Sequence, residues 1–189
     1  MNSVLADLRK DHQNMARLLV YMRSSLNLVE GNSAREEFAR LVDCLDFIGS
    51  YPDRVHHPRE EVLYNILKSR KKEFDRISVQ LDEEHWALAR KTVSLHRMCA
   101  ELLDAEQDSS EVSVRLNEFV DLQFKHMRYE EDTVFPLIEK SFDVADWKEA
   151  LSAKDSAGRK LFDSRYAQDE DEKYKDLYRA YQQGEARTN

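Results

Sequence analysis

Glycine and proline are scarce, with four and three in 189 residues. Average usage is about 7% Gly and 5% Pro, so the chain lacks the turn residues that sandwiches, barrels and propellers need. An all-α fold is what remains. Cysteine is nearly absent as well: Cys44 and Cys99 stand alone, without the Cys-x-x-Cys spacing of zinc ribbons or redox motifs, and read as small buried residues. No window approaches the ~18 uninterrupted apolar residues of a membrane span, and Met1 to Lys10 contains no apolar stretch of the secretory-signal kind. Nor is there a basic stripe. Arg70, Lys71 and Lys72 are followed at once by Glu73 and Asp75, and the net charge of −8 opposes a phosphate backbone or an anionic lipid surface. The expectation is a cytoplasmic protein that engages neither nucleic acid nor membrane.

The length suits one core, which at this size buries roughly 70% of the unfolded surface. Apolar residues recur with helical period in four long segments. The first runs from about Val4 to Val29, with Ser3 as N-cap and Gly31-Asn32 as the stop. The second opens on the capping-box pattern Ser33 to Glu36 and meets Gly49 and Pro52, which predicts a break near Tyr51 before it resumes to about Lys68. The third covers roughly Asp75 to Ala105, and the fourth about Ser110 to Glu139 with Pro136 near its end. Residues 1–142 are read as an antiparallel up-down four-helix bundle. Residues 143–183 are read as a helical extension packed on it, with a short helix at Asp143 to Ala153 and a charged segment from Asp163 to Gln183, and 184–189 as a disordered tail.

A repeat carries the functional signal. Leu8-Arg-Lys-Asp-His12 to Arg17 aligns with Leu81-Asp-Glu-Glu-His85 to Arg90, matching Leu, acid, His, Ala and Arg in register. His56-His-Pro-Arg-Glu60-Glu61 aligns with His126-Met-Arg-Tyr-Glu130-Glu131. His85 lies 73 residues beyond His12, and His126 lies 70 beyond His56. A helical hairpin therefore occurs twice, and four imidazoles converge at one level of a pseudo-two-fold bundle.

In His-x-x-x-Glu the two side chains sit one turn apart on one helix face and reach the same inward point. His56/Glu60 and His126/Glu130, with His12 and His85, give four imidazoles and two carboxylates. That set exceeds one tetrahedral zinc and suits two octahedral ions bridged by the carboxylates, with positions open to a small molecule. Iron is favoured, with manganese or zinc as substitutes. A lone His on an amphipathic helix is more often an ordinary core or surface residue. Four His and two Glu buried together without metal would each cost about 1–3 kcal/mol. His57 and Glu61 form a second pair at the same spacing, so either register is open; the symmetric one makes them outer-shell residues or alternative ligands. His96 lies roughly 16 Å along the helix from His85 and is read as no ligand.

These strings resemble the hemerythrin-like, HHE cation-binding domain proteins, the His126 string together with the Phe135-Pro136 that follows it. The resemblance extends to the Asp146-Trp147 helix and to the segment from Leu161-Phe162 to Tyr178. It implies a non-haem di-iron centre that meets O2, NO or peroxide, with His12, His56, His85 and His126 as terminal ligands and Glu60 and Glu130 as bridges. Oxygen-carrying hemerythrins have a further His four residues after the third-helix ligand, where this chain has Ala89. That departure is similar to the four-His, two-Glu members associated with stress defence, iron-centre repair or iron sensing. Met15, Leu63, Leu88 and Val134 are expected to limit water access. A second reading is a metal-responsive module whose charged C-terminal segment contacts a protein partner, and a third is a bundle without metal.

Overall fold

The computed structural model describes residues 3–25, 34–72, 74–103 and 109–154. The Ser33 and Gly31-Asn32 signals, the segment 163–183 and the tail 184–189 lie outside them. Among the described residues there are helices and no strands. Helix α1 spans Ser3–Ser25, α2 Ala34–Ile48, α3 His57–Arg70, α4 Phe74–Leu102, α5 Ser110–Tyr129, α6 Phe135–Ser141 and α7 Val144–Lys154. The expected break near Tyr51 is real. It is a wide π-helical turn, Pro52–His56, closed by an i to i+5 bond from the His57 N–H to the Pro52 carbonyl.

A second wide turn, Glu130–Val134, joins α5 to α6, with the Phe135 N–H bonded to the Glu130 carbonyl. The sequence reading treats this stretch as one uninterrupted helix. Pro58 and Pro136 sit just past the two turns, within the first helical positions of α3 and α6, where a missing N–H is tolerated. In a regular helix each ring would clash with the carbonyl four residues back, and one extra residue per turn relieves that clash.

Helix α1 packs on α2 and α5, and α4 on α2 and α5, forming the four-membered ring of an antiparallel bundle. Gly49, just past the end of α2, lies close against α4. A Cβ there would lie 3.2 Å from the Thr92 Cγ2 and 3.1 Å from the Leu45 carbonyl oxygen. Helix α7 is held by a capping box: Asp143 accepts from the N–H groups of Ala145 and Asp146 at 2.8 and 3.0 Å, and Asp146 accepts from the Asp143 N–H at 2.9 Å. Arg70 of α3 also donates to Asp146.

The core falls into two parts. One is built on Leu18, Met22, Leu41, Leu45, Phe47, Leu116 and Phe119. The other contains Leu5, Leu8, Leu63, Phe74, Leu81, Val134 and Phe135. Between them α1, α3, α4 and α5 bring polar residues together: Asp11 and His12 on α1, Glu60 on α3, His85 on α4, and His126 on α5. Each fully buried Leu or Phe contributes about 1.5–3 kcal/mol, and the two apolar parts together offset the cost of that polar layer. Cys44 and Cys99 are buried and free. Burial pushes the Cys99 thiol up to about 12 and the Cys44 thiol higher still, so both stay protonated at neutral pH. No helix among the described residues is long and apolar enough to cross a membrane.

Phe119 is fully buried in the larger apolar part. Phe119→Ala is expected to cost about 3–5 kcal/mol, read from the denaturation midpoint at fixed metal content.

Candidate metal centre

The helices bring the six predicted residues together in two pairs of imidazoles around two carboxylates. His12 Nε2 lies 3.0 Å from His56 Nε2, and His85 Nε2 lies 3.0 Å from His126 Nε2. Each hairpin therefore supplies one pair, as the repeat requires. Glu60 is shared: one oxygen is 3.2 Å from His56 Nε2 and the other 3.9 Å from His85 Nε2. Glu130 is shared in the same way, with Oε2 3.3 Å from His12 Nε2 and 3.5 Å from His126 Nε2, and Oε1 3.8 Å from His85 Nε2.

This donor set fits metal ions. Two nitrogens each about 2.1 Å from one ion and at right angles to one another are about 3.0 Å apart, which is the separation in both pairs. His12, His56, Glu60 and Glu130 each offer a ligand atom within 4.8 Å of the others, and His85, His126 and Glu130 do likewise. Both oxygens of Glu60, and Oε2 of Glu130, are fully buried without a hydrogen-bond partner. Orphaned buried carboxylate oxygens are costly unless they coordinate a cation.

The outer nitrogens are braced, and here the sequence reading missed three residues. His12 Nδ1 bonds to Glu131 Oε1 at 3.0 Å, His126 Nδ1 bonds to Glu84 Oε2 at 2.9 Å, and His56 Nδ1 faces Asp11 Oδ2 at 3.5 Å. A carboxylate on Nδ1 keeps the proton there and leaves the Nε2 lone pair directed inward, the usual arrangement behind metal-bound histidine. Asp11 and Glu84 are the acids that precede His12 and His85 in the repeat, so their signal was present. Each supports the imidazole of the neighbouring helix rather than its own. Buried Arg59 reaches Asp11 at 3.4 Å. Tyr64, also unforeseen, donates to Glu130 Oε1 at 2.8 Å; burial, then Glu130 and Glu60, hold its phenol well above the ordinary value.

The electrostatics are those of a cation site filled by protons. Burial opposes charge on His56, but Glu60 and Asp11 outweigh it and raise its pKa to about 10. His12 and His126 are raised against burial too, by Glu130 and by Glu131 or Glu84 respectively. Burial favours protonation of Glu130, yet His126, His12 and His85 hold its carboxyl well below the ordinary 4.5. Glu60 is lowered as well, with His56 and His57 overcoming burial and the Glu130 charge.

The remaining candidates separate clearly. Glu61 is exposed, so the structure turns it away from the centre; its repeat partner Glu131 reaches His12 because the wide turn opening at Glu130 rotates it inward. His57 is half-buried and stacks on His85, with ring centroids 3.9 Å apart. His96 pairs with Asp46 at 2.7 Å on the α2 side and is not among the clustered residues. Met15 and Leu88 line a cavity of about 120 Å³ against the imidazoles, together with Ala89. Leu63 and Val134 lie in the apolar part on the other side.

The raised His56 pKa stabilises the metal-free fold fully below pH 6.5, and that contribution is lost as pH rises through about 10. The lowered Glu130 pKa contributes above 4.5 and is lost as pH falls through its depressed value. Metal-free protein is therefore expected to be most stable between about pH 4.5 and 6.5. Loaded protein should gain over metal-free protein as pH rises above that window, because ions require deprotonated imidazoles. Thermal midpoints of both forms against pH check this; parallel profiles would contradict it. Glu84→Ala, which removes the brace on His126, is expected to weaken metal binding about 10- to 100-fold by calorimetric titration.

A family model describing the hemerythrin HHE cation-binding domain matches residues 3–138, most of the chain and every residue of the cluster. No individually curated protein matches. With an all-α bundle and the His/Glu layer at its middle, the chain belongs to the hemerythrin HHE cation-binding domain family.

Proposed function

We propose that this chain binds two iron ions through His12, His56, His85, His126, Glu60 and Glu130, and presents them to O2, NO or peroxide in stress defence, iron-centre repair or sensing. The supporting observation is the cavity of about 120 Å³ beside the imidazoles. Pockets for organic substrates run to about 300–1,000 Å³, so this one suits a small ligand of only a few heavy atoms.

Iron would supply a Lewis-acidic, redox-active position for such a ligand. The protein's own part is to bind, orient and shield. Met15, Leu88 and Met127 line the cavity with apolar surface that limits water. Asp11, Glu84 and Glu131 fix the imidazoles, and Tyr64 holds one oxygen of Glu130. Protonated imidazoles neutralise the two buried carboxylates in the metal-free protein, and their protons leave when cations enter.

A second reading is a metal-responsive interaction module without turnover. It is favoured by Val79, Trp86 and Val93, which recur every seven residues on the outer face of α4 and are strongly exposed, Trp86 at 70%. Manganese and zinc suit the same donors and would serve this version equally.

Protein purified without oxygen is expected to carry about two irons per chain, given the two-ion donor set, and to change its optical spectrum with at least one of O2, NO or peroxide. The double variant His56→Ala/His126→Ala should hold neither ion. Full metal content in that variant would remove the assignment. Loaded protein that is spectrally silent to all three ligands, with a largely unfolded metal-free form, would select the interaction module.

A further inference from the structure

Residues that the metal centre leaves unused gather on the outer face of α4. Val79, Trp86 and Val93 are 56%, 70% and 71% exposed. Single apolar residues on a surface need no explanation, but a contiguous stripe does. At seven-residue spacing these three share one face over about 21 Å of helix, the pattern of a seam between two helices. The exposed acids Asp82 and Glu83 stand between Val79 and Trp86, and exposed Ala89 and Arg90 stand between Trp86 and Val93. Between the two valines the face is therefore acidic on the N-terminal side of Trp86 and basic on the C-terminal side.

The repeat shows that nothing in the bundle demands such a face. At the matching positions, 73 residues earlier, α1 has Gln13 for Trp86, and Lys10 and Arg17 for Glu83 and Arg90. Laid against its own copy, the α1 face would oppose like charges around a polar centre. The α4 face exchanges polar for apolar at that centre and basic for acidic on one side of it.

We propose that a second copy of this chain docks on α4, the two helices running antiparallel about a two-fold axis near Trp86. Off-axis contacts in a two-fold interface occur twice. Antiparallel pairing sets Trp86 against its own copy, Val79 against the partner subunit's Val93, and Glu83 against the partner subunit's Arg90. Parallel pairing would instead set the acids against the same acids and Arg90 against itself, and flanking charges of this kind decide orientation. Ala89 and Val93 also line the cavity beside the imidazoles, so the second copy covers one edge of it. This inference goes beyond the proposed function: it does not depend on which ion is bound, and it gives the α4 stripe to a second copy rather than to a different protein.

Sedimentation of the full chain from micromolar to submillimolar concentration tests this, for the wild type, Trp86→Glu, Glu83→Arg, Arg90→Glu and an equimolar mixture of the last two. The wild type is expected to reach twice the 22.3 kDa of one chain as concentration rises. Trp86→Glu should stay monomeric. Glu83→Arg and Arg90→Glu each place like charges across the seam twice and should dimerise at least about tenfold more weakly. Their mixture should regain wild-type association, because a mixed pair restores both opposite-charge contacts. All three side chains are exposed, so helicity should be unchanged throughout. A wild type that stays monomeric at every concentration would overturn the proposal and leave the stripe to a different partner. A dimer that Trp86→Glu leaves intact would overturn it by placing the interface elsewhere. A mixture that associates no more tightly than either variant alone would overturn the antiparallel pairing.

Discussion

Two carboxylates, Glu60 and Glu130, are buried side by side in the middle of an apolar bundle with three of their four oxygens lacking any hydrogen bond. Like charges so placed cannot both remain ionised unless positive charge surrounds them. His12, His56 and His126, raised toward their charged forms beside these carboxylates, do so, and the rest of the chain is arranged to keep them there. Apolar clusters above and below the layer lock the helices that carry them. Asp11, Glu84 and Glu131 hold their outer faces. Protons satisfy this arrangement in the metal-free protein, and cations satisfy it better, because they also occupy the orphaned oxygens.

The duplicated hairpin accounts for the near-symmetry of the centre, and the departures from it account for direction. Tyr64 takes one oxygen of Glu130, where the second hairpin has Val134. Glu131 reaches inward while its counterpart Glu61 stays outside. The wide turns fall at different points of the two hairpins, ending at His56 in one and beginning at Glu130 in the other. The result is a pair of imidazoles, His12 and His56, that is more deeply buried than His85, with the small cavity bordering both pairs.

Much of this was legible in the sequence. Helical period and scarce breakers give the bundle, and equal offsets between two His-bearing strings give the convergence of His12, His56, His85 and His126 at one level. Symmetry favours the His56/Glu60 register; in the fold Glu60 lies beside donor atoms of His12, His56 and Glu130, while Glu61 is exposed. The second wide turn escaped because hydrophobic period tolerates one extra residue: Glu130 and Phe135, five apart, are both fully buried. The braces escaped for a different reason. Acids on helices are usually solvated, and nothing local marks Asp11 or Glu84 as crossing to the neighbouring helix. Tyr64 has no counterpart in the repeat, so symmetry could not point to it.

Anomalous X-ray scattering at the iron edge, from crystals of the iron-loaded protein, tests the central claim most directly. Two peaks about 3.5–4 Å apart are expected, one between His12 and His56 and one between His85 and His126, each in contact with both Glu60 and Glu130. A single peak, or peaks away from the two carboxylates, would contradict it.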